Sequence, residues 1–115
     1  MNEEQIDRMD RAVQNALGRV RPEINYKARK MFGGMGYYAN DVMFAAWFGR
    51  GLALKLNEAD RDDLLQVDGA EQADSKQYVE VPDPFLDDPS KLEPWLEKSL
   101  AYVESVPHEK KTRKG

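Results

Sequence analysis

The densest apolar stretch of the chain runs from Lys30 to Leu56, KMFGGMGYYANDVMFAAWFGRGLALKL, with glycines where strands turn or bend. Residues 42–48 are apolar throughout. Val42, Phe44, Ala46 and Phe48 fall on one side and Met43, Ala45 and Trp47 on the other, the mark of a central strand covered twice. Next, Leu52, Leu54 and Leu56 alternate with Ala53 and Lys55, so one face is packed and the other partly wet. Upstream, Ala28, Lys30 and Phe32 alternate with Lys27, Arg29 and Met31, and the charges mark an edge strand. Gly33, Gly34 and Gly36 then suggest a bulge, because glycine reaches positive φ at little cost. This first strand is expected to bend there and continue through Tyr37 and Tyr38 to a turn at Ala39-Asn40-Asp41. The pattern predicts a three-stranded antiparallel meander.

Helical spacing flanks this sheet. Ile6, Met9, Val13, Leu17 and Val20 recur every three or four residues and predict a first helix over residues 3–20, capped by Asn2 and ended by Pro22. A short helix begins after Asn57 and is anchored by Leu64 and Leu65. Residues 77–81 read as another strand, stopped by Pro82 and Pro84. The last helix carries Leu92, Trp95, Leu96, Leu100, Val103 and Val106. It starts either at Asp88-Pro89 with a kink at Pro94, or at Glu93-Pro94 after a separate turn. The fold class is α+β, a two-layer sandwich whose two long helices cover one face of an antiparallel sheet.

Composition narrows the picture. A chain of 115 residues, 41% apolar and 33% charged, suits one domain. Residues 1–107 are assigned to it, and residues 108–115 to a basic tail expected to be disordered. Having no cysteine excludes disulfides, thiolate metal sites and cysteine nucleophiles, and suits a reducing cytoplasm. The acidic N-terminus lacks the apolar core of a secretory signal, and no apolar run approaches the roughly 18 residues of a membrane span.

Candidate chemistry is sparse. The Gly33–Gly36 segment lacks phosphate-loop spacing and is followed by a strand, so its glycines are read as backbone devices. His108 is the one histidine and sits in the tail. The serines have no histidine near in sequence, and the aspartate clusters read as helix starts and solvated faces. The expectation is no enzyme, no cofactor and no metal. Residues 19–30 carry Arg19, Arg21, Lys27, Arg29 and Lys30 against Glu23, a candidate nucleic-acid patch, although a net charge of −4 opposes phosphate neutralisation.

The segments Lys30-Met31-Phe32-Gly33-Gly34-Met35-Gly36-Tyr37-Tyr38, Val42-Met43-Phe44-Ala45 and Leu52-Ala53-Leu54-Lys55 together resemble the N-terminal domain of the TfoX/Sxy competence regulators. Tyr78-Val79-Glu80-Val81-Pro82 and Asp88-Pro89 ahead of a tryptophan-bearing helix extend the resemblance over about residues 5–106. It implies a secretion-chaperone-like order of helix, three strands, helix, two strands, helix, with the first of the later two strands reduced here. The regulators' second domain is absent from this sequence, so a role in competence is not carried over. The expectation is a stand-alone protein-interaction or regulatory module. Its partner surface is the sheet face away from the helices, with Tyr37, Met43, Trp47 and Tyr78 on it, and a homodimer through that face is one form of it. The competing reading is a nucleic-acid-associated regulator using the basic patch.

Overall fold

A computed structural model describes residues 3–31 and 34–105. The chain order is α1 (Glu3–Val20), β1 (Tyr26–Met31), β2 (Gly34–Ala39), β3 (Val42–Trp47), β4 (Leu52–Lys55), α2 (Glu58–Leu65), β5 (Glu71–Gln72) and β6 (Tyr78–Glu80), then a 3-10 turn (Asp83–Asp87) and α3 (Pro89–Ser105). The strands form one antiparallel sheet in the order β1-β2-β3-β4-β6-β5. The α+β sandwich is as the hydrophobic pattern predicts. The expected cap at Asn2 and the tail fall outside the described residues.

The meander has four strands, not three. Met31 pairs with Gly34 and Tyr26 with Ala39, so the segment expected to be one bent strand is two strands lying side by side. The bulge sits elsewhere, in β3. Tyr37 pairs with Ala45 and Tyr38 with Met43, which leaves Phe44 as the extra residue. The β2–β3 turn is Asn40-Asp41, both with positive φ (51° and 72°), the conformation of a two-residue hairpin that Asn and Asp tolerate.

The bulge decides which side chains face inward. Val42 and Phe44 point to the helices. Past the extra residue the alternation flips, so Ala45 and Trp47 also point inward, while Met43 and Ala46 point out. Trp47 therefore lies in the main core, 6% exposed, contrary to the expected outer position. Tyr37 is there too, fully buried, because Gly34, Gly36 and Tyr38 take the outer side of β2.

The core lies between the sheet and the helices. Met9, Val13 and Leu17 of α1 and Leu92, Leu96, Leu100 and Val103 of α3 meet Phe44, Leu52, Leu54, Leu56 and Val79. Leu64 of α2 joins the same core, so α2 belongs to the helical layer and does not cross to the other face. Each fully buried leucine contributes on the order of 2 kcal/mol, against well under about 1 kcal/mol for an exposed ion pair, so apolar burial holds this layer. α3 runs unbroken from Pro89 with Pro94 inside it. Proline there cannot donate to the Ser90 carbonyl, and both residues are exposed, so the lost bond is not a buried one.

Candidate functional site

The two faces of the molecule are built differently. On the helical side, cations are matched to carboxylates of neighbouring elements. Arg8 of α1 bonds Asp83 (3.0 Å) and Asp87 (2.8 Å) of the 3-10 turn. Arg19 pairs with Glu93 at 3.0 Å, and Arg21 with Glu97 and Glu104 at 3.1 Å each, joining the end of α1 to α3. Lys98 lies 3.8 Å from Asp60 and over the Trp95 ring. The hydrogen bond from Arg8 holds the Asp87 carboxyl below its ordinary range.

The apolar residues of the helices pack on the inner face of the sheet, while the outer face carries a second, smaller cluster of its own that includes Ala73 of the β5–β6 connection. Strand pairing aligns one row across it: Arg29 on β1, Gly36 on β2, Ala46 on β3, Ala53 on β4, Glu80 on β6 and Glu71 on β5. The row is basic at one end, small and apolar in the middle, and acidic at the other. Ala46, Ala53 and Ala73 are buried beneath larger neighbours. Phe48 and Tyr78 meet edge to face, ring centroids 5.6 Å apart, and Met43 packs against the same cluster. Tyr38 stands beside Met43 with the Arg29 guanidinium 5.7 Å from its ring centre. Burial pushes the Tyr78 hydroxyl up to about 12, with Tyr38 nearby adding to the effect. At the acidic end, burial raises the Glu80 carboxyl while Arg50, 2.9 Å away, pulls it back.

Of the four residues expected on this surface, Met43 and Tyr78 face that side, Met43 half-buried and Tyr78 buried at 5% exposure. Tyr37 and Trp47 are not. The Tyr37 hydroxyl and the Trp47 indole N–H are buried with no hydrogen-bond partner among the described residues. Tyr38 and Phe48 take their places on the face. The exchange of Trp47 for Phe48 follows from the bulge at Phe44, and that of Tyr37 for Tyr38 from which of two adjacent tyrosines in β2 faces the helices, and no periodic signal in the sequence reveals either.

The five basic residues do not form a patch. Arg19 and Arg21 are engaged with α3. Lys27 (3.5 Å from Asp41) and Arg29 lie on the outer face, and Lys30 lies on the opposite side of β1 beside Glu3 and Asp7. One open depression of about 680 Å³ lies between Val67–Gly69 and the Pro82–Lys91 segment. Of the three carboxylates that line it, Asp83 is taken by Arg8 and Asp88 accepts a hydrogen bond from Ser90, while Asp68 is the third. Among the described residues no helix is long and apolar enough to cross a membrane.

A family model described as the TfoX N-terminal domain matches residues 19–103. The chain belongs to the TfoX N-terminal domain family. Comparison with curated proteins and with solved structures finds no match. The matched span holds all six strands of this TfoX N-terminal domain and most of α3, so the outer sheet face lies wholly within it. Most of α1, including Met9 and Val13, precedes it.

Proposed function

We propose that this TfoX N-terminal domain is a non-catalytic, regulatory protein-interaction module that presents the outer face of its sheet to a protein partner. One observation carries this reading. The helices pack on the inner face of the sheet, whereas the outer face holds half-buried Tyr38, Met43 and Phe48 around a floor of glycine and alanine, with ion pairs at its two ends. Its lack of cysteine suits the cytoplasm.

The same lack of cysteine allows a clean test. Substitution M43C places a single thiol on the outer face, and A101C places one on exposed α3. Each variant is labelled with a benzophenone maleimide and irradiated in an extract of the native host. Adducts of defined mass from M43C, absent from A101C, support the reading. No adduct from M43C, or the same adducts from both, contradicts it.

A further inference from the structure

The charge layout of the outer face narrows the choice of partner. The transverse row begins with Arg29 on the β1 edge and ends with Glu80 and Glu71 on the β6–β5 edge, with Gly36, Ala46 and Ala53 between them. The Arg29 guanidinium lies over Tyr38 and forms no ion pair among the described residues, while at the other end Arg50 lies 2.9 Å from Glu80 and 3.9 Å from Glu71, so one cation is set against two carboxylates and that end stays net acidic. Such a row is complementary to itself when turned over about an axis along the strands. That rotation keeps every residue in its row and exchanges the left and right edges of the sheet. β1 then lies over β5 of the other copy, Arg29 opposite Glu71 and Ala46 opposite Ala53. The second way to stack two such faces, about an axis across the strands, sets Arg29 over Arg29 and Glu71 over Glu71. Like charges disfavour it.

Resting on the reading of this face as an interaction surface, we infer that its partner is a second copy of this chain, stacked face to face about a two-fold axis parallel to the strands. The interface is isologous, with each Arg29–Glu71 contact occurring twice. Sheets stacked in this way pack about 10 Å apart, and the small residues nearest the axis leave room for the Phe48 and Tyr78 rings between them. Six strands spaced about 4.8 Å apart present roughly 500 Å² in plan. Two such faces bury about 1,000 Å² together, below the roughly 1,200–2,000 Å² of standard stable interfaces and in the size class of weak, transient association.

Sedimentation equilibrium on four samples tests the arrangement: wild type, R29E, E71R, and an equimolar mixture of the two variants. Both positions are exposed, and a thermal melt of each variant confirms folding. The wild type is expected to dimerise below millimolar concentration. Each single reversal turns two attractions into two repulsions and weakens dimerisation about tenfold or more. The mixture pairs each reversed charge with its complement and recovers wild-type affinity, as does the double variant R29E/E71R. A wild type that stays monomeric to millimolar concentration, unchanged single variants, or a mixture no tighter than its components each overturns the arrangement. A monomeric wild type whose M43C variant still cross-links to another protein overturns the self-association alone and leaves the interaction face standing.

Discussion

The hydroxyl of Ser99 donates a 2.8 Å hydrogen bond to the carbonyl oxygen of Phe44, joining the middle of α3 to the bulge in β3. Both residues are fully buried. Phe44 has no pairing partner in β2, because Tyr37 pairs with Ala45 and Tyr38 with Met43. A buried carbonyl released by the bulge needs a donor, and the one polar residue on the inner side of α3 supplies it. Ser99→Ala is expected to cost about 1–3 kcal/mol, the penalty for leaving such a group unbonded. Urea denaturation measures it. An unchanged midpoint would remove Ser99 from the support of the bulge.

Arg50 and Glu80 give a pH-dependent prediction. Glu80 is 6% exposed, and its carboxyl lies above its ordinary value of 4.5 because burial disfavours the charge, with the Arg50 guanidinium opposing this. A carboxyl whose folded value is raised loses stability as pH rises through that value. Arg50→Ala removes the opposing term and raises Glu80 further. The melting temperature of the variant is expected to fall below that of the wild type at neutral pH, with the gap narrowing as acid protonates Glu80. A gap that is constant with pH would show that Arg50 acts through packing alone.

Three tyrosines govern the alkaline side. Burial raises the hydroxyls of Tyr26, Tyr37 and Tyr78, the last to about 12, and the 2.6 Å bond to Asp10 raises Tyr26 further. The folded state then keeps protons that the unfolded chain releases near its ordinary value of about 10, so stability falls as pH rises above that point. In a Tyr38→Phe/Tyr102→Phe background, which leaves these three of the five tyrosines, tyrosinate absorbance and loss of the circular dichroism signal are expected to rise together. Tyr37→Phe removes a buried hydroxyl without a partner among the described residues, so it is expected to leave stability unchanged or improved. Tyr26→Phe breaks the bond to Asp10 and is expected to cost about 1 kcal/mol. Tyrosinate appearing well before unfolding would contradict this order.

Gly69 leads from α2 into β5 with φ +93°, and a Cβ placed there would lie 3.1 Å from the Cβ of Pro82. Gly69→Ala combines left-handed backbone with that contact and is expected to cost about 1–3 kcal/mol, measured by thermal melting. Gly49, at φ +112° with open space around it, separates the two effects, since Gly49→Ala carries the backbone cost alone. Equal losses at the two sites would show that Pro82 yields without cost.

The helices were legible because their apolar residues repeat at helical spacing and their boundaries carry Asp, Asn or Pro. The strands of the meander were legible as apolar runs, but their number and facing were not. The Gly33–Gly34 pair is compatible with either a bend or a reversal, and the pairing of Met31 with Gly34 depends on tertiary contacts. The facing of Tyr37 is not legible because two tyrosines are adjacent in β2 and alternation alone does not say which one turns inward, and that of Trp47 is lost for another reason. A single extra residue at Phe44 inverts the alternation of everything after it, and period-two counting carries no sign of the insertion. Met43 precedes the bulge and was placed correctly. The facing of Tyr78 is legible because β6 is regular, but its burial is not. The matching of Arg29 with Glu71 across six strands needs the full strand order, which no local pattern holds.

The methionine side chains offer the most direct reading of the outer face in the unaltered protein. Met43 lies on that face, while Met9 and Met35 lie in the core between the sheet and the helices. In a protein labelled at its methionine methyl groups, dilution from millimolar to micromolar concentration is expected to move the Met43 resonance and leave Met9 and Met35 in place. A Met43 resonance that stays fixed on dilution and also on addition of host extract, while signals from the helical surface shift, would contradict the outer sheet face as the site of recognition.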